Sequence, residues 1–230
     1  MTLLIGERYR PKLAQSLGAQ GIDVFWTPDD PALDPRLAGH ADLGVFVSGD
    51  RAVVARELCA SNIVNYLTNR GYAIQPSREQ GAEYPRDAGL CVCWTGKYTI
   101  YNPKTADPSV LAVMGGIPVA VSQGYAKCAA AVVNERSIIT ADAGVSRAAK
   151  NAGMDVLLIA PGHIALDGYE YGFIGGAAFK ICDDTVAFTG KLDGHPDKQR
   201  ILEFLAARGQ KCVFLTEDPI FDIGGAVALP

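Results

Sequence analysis

One pattern recurs along this chain and limits what it can fold into: a short strand, a tight turn, a second strand, a helix, a glycine and a third strand. In its clearest copy Phe179-Lys180-Ile181 meets the turn Cys182-Asp183-Asp184 and returns as Val186-Ala187-Phe188. Asp197 to Arg208 then reads as a helix with Ile201, Leu202, Phe204 and Leu205 on one face, Gly209 stops it, and Gln210 to Leu215 is the third strand. A unit of this size cannot close a core alone, so copies of it must pack on one another.

Four further copies are legible. The segment 44–76 pairs Val45-Phe46-Val47 with Ala52-Val53-Val54 across Ser48-Gly49-Asp50, and Ser61 or Asn62 caps a helix reaching Asn69. The segment 89–122 has Leu90 to Cys93 and Thr99-Ile100-Tyr101 as its hairpin, and a helix from Ser109 to Met114. In 129–160 the hairpin turns at Asn134-Glu135-Arg136, and the helix lies near Val145 to Ala152. The copy at Phe179 fills 177–216. The fifth copy is split: 1–27 supplies a second strand, a helix and a third strand, and 225–230 supplies a first strand with nothing after it. Pairing those two ends gives one domain, 1–230, of five units of roughly 46 residues and hides an otherwise exposed sheet edge. Gly21, Gly71, Gly116, Gly153 and Gly209 stand at the same place in each unit. The expected fold is α/β, a five-bladed pseudo-symmetric ββαβ propeller closed by its terminal strands. A doubly wound parallel sheet would have one strand per helix, whereas two short strands precede each helix here. The linker from Thr27 to Ala41, with Pro28, Pro31 and Pro35, reads as irregular and surface-crossing.

Composition excludes several functions. Twenty-five acidic against 21 basic residues, a net charge of −4, leave no basic footprint for nucleic acid. No run of about 18 apolar residues is present to span a bilayer, and the start of the chain lacks leader chemistry, so a cytoplasmic protein is expected. The six cysteines sit mostly in apolar runs and read as buried, reduced thiols. No cysteine or histidine spacing matches a metal motif, and the glycine pairs Gly115-Gly116 and Gly175-Gly176 do not open helices, so neither a metal, a phosphate loop nor a cofactor is expected. His40 and His195 fall in polar loops and read as solvated.

Five ββαβ units closed by their termini resemble the pentein, or guanidino-group-modifying enzyme, fold. Tyr171-Gly172-Phe173-Ile174-Gly175-Gly176-Ala177, followed by a strand and the Asp183-Asp184 turn, is similar to a blade opening of that family. Gln123 to Cys128 and the stretch from Gly162 to Gly176 resemble an uncharacterised bacterial branch of it. The resemblance implies a nucleophilic cysteine after paired glycines in the last strand, where Gly224-Gly225 is followed by Ala226. It implies a histidine where Gly175 to Phe179 stand, and a Glu-Gly-Gly-Asp motif where Lys127 and Cys128 stand. None of the three is matched.

The blade openings of such a ring line a central cavity. They hold Asp42; Tyr84, Arg86 and Asp87; Tyr125, Lys127 and Cys128; Tyr169, Tyr171 and the nearby His163; and Asp218 with Asp222. Carboxylates mixed with cations suit a small polar or zwitterionic ligand, amino-acid-like or guanidino-like. Asp222 reads equally as a pocket acid or a turn former. Cys128 is the one candidate nucleophile, with Lys127 favouring its thiolate and His163 as base, against a plain reading as a small core thiol. Three functions are therefore open: a ligand-binding protein; a hydrolase or amidinotransferase acting on C–N bonds through Cys128; and a non-catalytic interaction ring. Oligomeric state is not legible.

Overall fold

In the computed structural model, which describes residues 1–229, the elements follow the repeat. The order is β1 (Thr2–Gly6), α1 (Arg10–Ala19), β2 (Asp23–Thr27), α2 (Ala41–Gly44), β3 (Val45–Ser48), β4 (Arg51–Val54), α3 (Asn62–Asn69) and β5 (Ala73–Pro76). Next come β6 (Cys93–Trp94), β7 (Tyr98–Tyr101), α4 (Pro108–Val113), β8 (Ile117–Ala120), α5 (Ala126–Ala129), β9 (Ala130–Asn134), β10 (Ser137–Thr140), α6 (Ala143–Asn151) and β11 (Asp155–Leu158). The chain finishes with α7 (Ile174–Ala177), β12 (Ala178–Cys182), β13 (Thr185–Phe188), α8 (Lys198–Ala206), β14 (Lys211–Phe214) and β15 (Val227–Leu229). Pro230, the last residue of the expected tail strand, lies outside the described residues.

The strands form five three-stranded sheets, ordered β3-β4-β5, β6-β7-β8, β9-β10-β11, β12-β13-β14 and β15-β1-β2. In every one the middle strand pairs antiparallel with the first and parallel with the third. The fifth sheet joins the two ends of the chain, with Thr2 opposite Leu229 and Leu4 opposite Val227.

Local chemistry explains the helices between them. Ser61, Asp107 and Asp142 cap α3, α4 and α6 with side-chain oxygens that accept from backbone N–H groups of the first turn. Four helices each bury a pair spaced four apart: Leu13 and Leu17, Ile63 and Leu67, Val145 and Ala149, Ile201 and Leu205. Each stops at one of the five repeated glycines, whose φ runs from 67 to 86°, as the turn into the third strand requires.

The cores lie between units, because a sheet this small has two apolar faces and one helix. In β1, Leu3 and Ile5 pack with Phe179 and Ile181 of the neighbouring unit, while Leu4 points the other way, into Val45, Val53 and Leu229. All three are fully buried. The units at 44–76 and 89–122 share one core, 89–122 and 129–160 the next, and 129–160 and 177–216 another. Among the described residues no helix is long and apolar enough to cross a membrane.

Three expectations are corrected and one is qualified. The linker 27–41 is irregular and partly exposed at Asp29, Pro31, Pro35 and Arg36, but it is also packed: Leu33, Leu37 and Ala38 are buried against Leu43, Cys91 and Cys128, and Asp30 N–H donates to Ala38. Pro31 and Pro35 stand in turns of this segment. The strand expected from Leu90 begins at Cys93, because residues 88–92 turn back on themselves with Cys91 N–H donating to Ala88 and Val92 N–H to Leu90. Cys182 is exposed, since it ends β12 beside a register shift in the hairpin. His195 is buried, not solvated: its Nδ1 accepts from Asp197 N–H at 3.0 Å just ahead of α8.

Two stability tests follow. At Gly209 an added Cβ meets open space but φ is positive, whereas at Gly116 it would also lie 2.4 Å from Lys97 O. Gly209→Ala is expected to lose about 1–2 kcal/mol of unfolding free energy in denaturant titration, and Gly116→Ala distinctly more. Burial, then the charge of His163, hold the His195 imidazole below its ordinary value of 6.5. The unfolded chain therefore takes up this proton first. The contribution is present above the unfolded value and is lost as pH falls through the lowered folded one. Acid unfolding curves of His195→Asn, which keeps an acceptor for Asp197, should show a shallower stability loss between about pH 7 and 5.

Candidate functional site

The unit openings tighten into single helical turns, α2, α5 and α7, and this is what gathers the polar residues. Gly175 of α7 lies so close to α5 that an added Cβ would stand 2.4 Å from Lys127 O. Gly224 lies against His40, where a Cβ would come within 2.4 Å of the His40 Cβ. These approaches draw α5, α7, the closing turn and the end of the 27–41 segment around one point. Lys127 and Cys128 follow each other in the turn of α5.

At that point Cys128 S–H donates to Asp42 Oδ2 at 2.8 Å, and Cys91 Sγ lies 3.6 Å from both Cys128 Sγ and Asp42 Oδ2. His40, Asp42 and Cys128 each bring one polar atom to within 4.8 Å of the others, and all three residues are buried. Among the described residues, His40 Nε2 and Asp42 Oδ1 have no hydrogen-bond partner. Burial pushes the Asp42 carboxyl up, against the opposing pull of Lys127 and His40. The contact with Cys91, then burial and the charge of Asp42, push the Cys128 thiol well up. Lys127 Nζ donates to Gly175 O at 3.2 Å. The expectation of a Lys127-activated thiolate is therefore reversed: this thiol is held protonated.

A cavity of about 330 Å³ opens above the cluster, with His40 and Cys128 at its floor. Leu37, Leu43, Leu166 and Phe173 form its apolar walls, and Tyr125, Tyr169, Tyr171, Glu170 and Asp222 its polar ones. Asp222 acts both as pocket acid and turn former, accepting from Phe173 N–H and Gly224 N–H at 2.8 Å each. Tyr125 O–H donates to the buried Asp87 at 2.5 Å, which places Asp87 behind the wall. Asp42 likewise stands behind the floor.

Other predicted residues lie elsewhere. Tyr84 is exposed, its ring 5.7 Å from that of Tyr125. Arg86 donates to Gln80 O, faces Glu79 and lines a separate groove of about 370 Å³, so it offers no cation to the cavity. Asp218 pairs with Lys12 on the surface. His163 is exposed with its ring against His195 at 5.2 Å, so the expected base for Cys128 is not at the cavity. The imidazole beside Cys128 is His40, which sequence reading had set aside as solvated. Cys91 was also missed. The signals were Gly39 ahead of His40 and the turn at Ala88 ahead of Cys91, neither of which carries a recognisable motif.

The same fold is found in enzymes of known type. DDAH from Pseudomonas aeruginosa, in a mutant form complexed with citrulline, matches with a TM-score of 0.57 and 13% identity over 98% of this chain and 95% of that one. The N-terminal domain of ArgZ, a cyanobacterial arginine dihydrolase bound to product, gives 0.60 and 10% over 98% and 94%. SxtG, an amidinotransferase from Microseira wollei, gives 0.53 and 10% over 87% and 72%. The fold is that of the pentein superfamily. No curated protein matches by sequence. The profile of the family of unknown function DUF6873 matches residues 4–227, and this chain belongs to that family.

Proposed function

We propose that the five units close into a pentein-type ring whose central cavity binds a small ligand through a cationic amine, amidine or guanidinium head, without covalent chemistry. The cyclic sharing of cores and the β1–β15 pairing support the ring. One observation carries the ligand class: the cavity wall holds Glu170, Asp222 and three tyrosines but no lysine or arginine among its described residues. Carboxylates attract a cation, and aromatic faces add about 0.5–2 kcal/mol when it is desolvated. Of the amino-acid-like and guanidino-like ligands expected from the sequence, this lining favours the cationic end of the molecule. The pentein enzymes complexed with citrulline or product offer a precedent for a small ligand in this fold, although likeness of fold does not carry chemistry. All six cysteines are free, in keeping with a reducing, cytoplasmic setting.

Ala226 follows the paired glycines, where the resemblance calls for a nucleophile, and the raised Cys128 thiol supports binding over turnover. A second reading makes Cys128 the nucleophile and His40 its base, on the strength of their proximity.

Thermal unfolding with a panel of amines, amidines and guanidinium compounds, each matched to a neutral urea, tests the first reading. The cationic members should raise Tm and the ureas should not, with Glu170→Gln diminishing the rise; equal responses to both sets would reject the ligand class. Alkylation followed by peptide mass spectrometry separates the two readings. Cys182 should react in the folded protein while Cys128 stays protected until unfolding; rapid alkylation of Cys128 near neutral pH would reinstate it as a nucleophile.

A further inference from the structure

We propose that His40, Asp42 and Cys128 form a site for one divalent transition-metal ion of the zinc class, at the floor of the cavity, with a coordination position open to it. An imidazole, a carboxylate and a thiol are the donors such ions take, and a three-residue set leaves the fourth tetrahedral position free. The site rests on their convergence and not on the ligand proposed above.

Two features separate this cluster from an ordinary hydrogen-bonded group. The first is the pair of orphans. Among the described residues, His40 Nε2 and Asp42 Oδ1 are buried without a partner, and each unmatched group is costly in a dry site. A bound cation satisfies donors that the protein leaves unused. The second is spacing. Tetrahedral zinc with sulfur, nitrogen and oxygen ligands sets donors about 3.3–3.6 Å apart. Cys128 Sγ and Asp42 Oδ2 stand at 2.8 Å, and the full set lies within 4.8 Å, so small side-chain rotations reach that geometry.

Charge is balanced as well. Asp42 and a Cys128 thiolate supply two negative charges, which match a dication once the thiol proton leaves to solvent. Lys127 and, less strongly, Asp222 act on Asp42 with opposite sign. Cys91, 3.6 Å from Cys128 Sγ, stands behind the site and donates its S–H to the bound thiolate. His40 is held in place by Gly224, which leaves no room beyond its Cβ.

The test is cobalt substitution of the full chain after chelation. Wild type titrated with Co²⁺ should develop a thiolate-to-cobalt charge-transfer band saturating at one equivalent, and Zn²⁺ should abolish it. The band should persist in Cys182→Ser, which removes the exposed thiol, and vanish in Cys128→Ser. Asp42→Asn should retain the sulfur band with affinity weakened at least tenfold. Where a variant fails to fold, X-ray absorption of the zinc-loaded wild type decides: one sulfur near 2.3 Å with nitrogen and oxygen near about 2.0–2.2 Å is expected. Absence of the band in wild type, its survival in Cys128→Ser, or a zinc shell without sulfur would overturn the proposal.

Discussion

A three-stranded sheet with one helix has more apolar surface than it can cover by itself. Everything else in this structure follows from that shortfall. Leu3, Leu4 and Ile5 are consecutive and all fully buried, so β1 must be covered on both faces. One face is covered by the unit before it in space, the other by the unit after it, and β15 covers its edge. At about 1.5–3 kcal/mol for each large apolar side chain buried, the interfaces between units hold the molecule together, not the units themselves.

The same packing brings the unit openings together. Each inner strand begins from a turn, and three of these turns are single helical turns whose residues are wholly or largely buried. Polar residues there lose water, and the structure matches some of them closely: Asp222 holds two backbone N–H groups, and Asp87 takes the Tyr125 hydroxyl. It leaves others unmatched. His40 and Asp42 are the unmatched pair of the cluster among the described residues, and they lie beside the raised thiol of Cys128. In a dry environment a carboxyl and a thiol stay protonated unless a cation arrives, so the floor of the cavity is chemically unfinished in a way that its walls are not.

The chain has the fold of these enzymes, with Ala226 after its paired glycines. Gly224-Gly225 retain the positive φ that turns the chain into β15, yet Ala226 carries no reactive group. The turn and the chemistry are thus separable: the glycines serve the closure of the fold, where Gly225 approaches Gly175 O, and that demand is independent of the residue that follows. The buried cluster of His40, Asp42 and Cys128 draws instead on α2, the residue ahead of it, and α5.

Much of the fold was legible in the sequence because it rests on short-range signals. Apolar triplets separated by tight turns mark the hairpins, apolar pairs four apart mark the helix faces, and the five post-helix glycines mark where each helix gives way to a strand. The split fifth unit was also readable, since a lone first strand and a unit lacking one can only satisfy each other. Long-range burial was not. His40 and the 27–41 segment look polar and irregular in sequence, yet His40 is buried and Leu33 and Leu37 pack with Leu43, Cys91 and Cys128. His163 and Arg86 look like site residues by position in the chain, and both face away from the cavity. The sequence by itself determined the repeat and the pairing of its two terminal strands, because each depends on residues near one another or on identity alone. Only the tertiary structure decided which polar residues meet, because that depends on which side chains point inward when turns from distant parts of the chain converge.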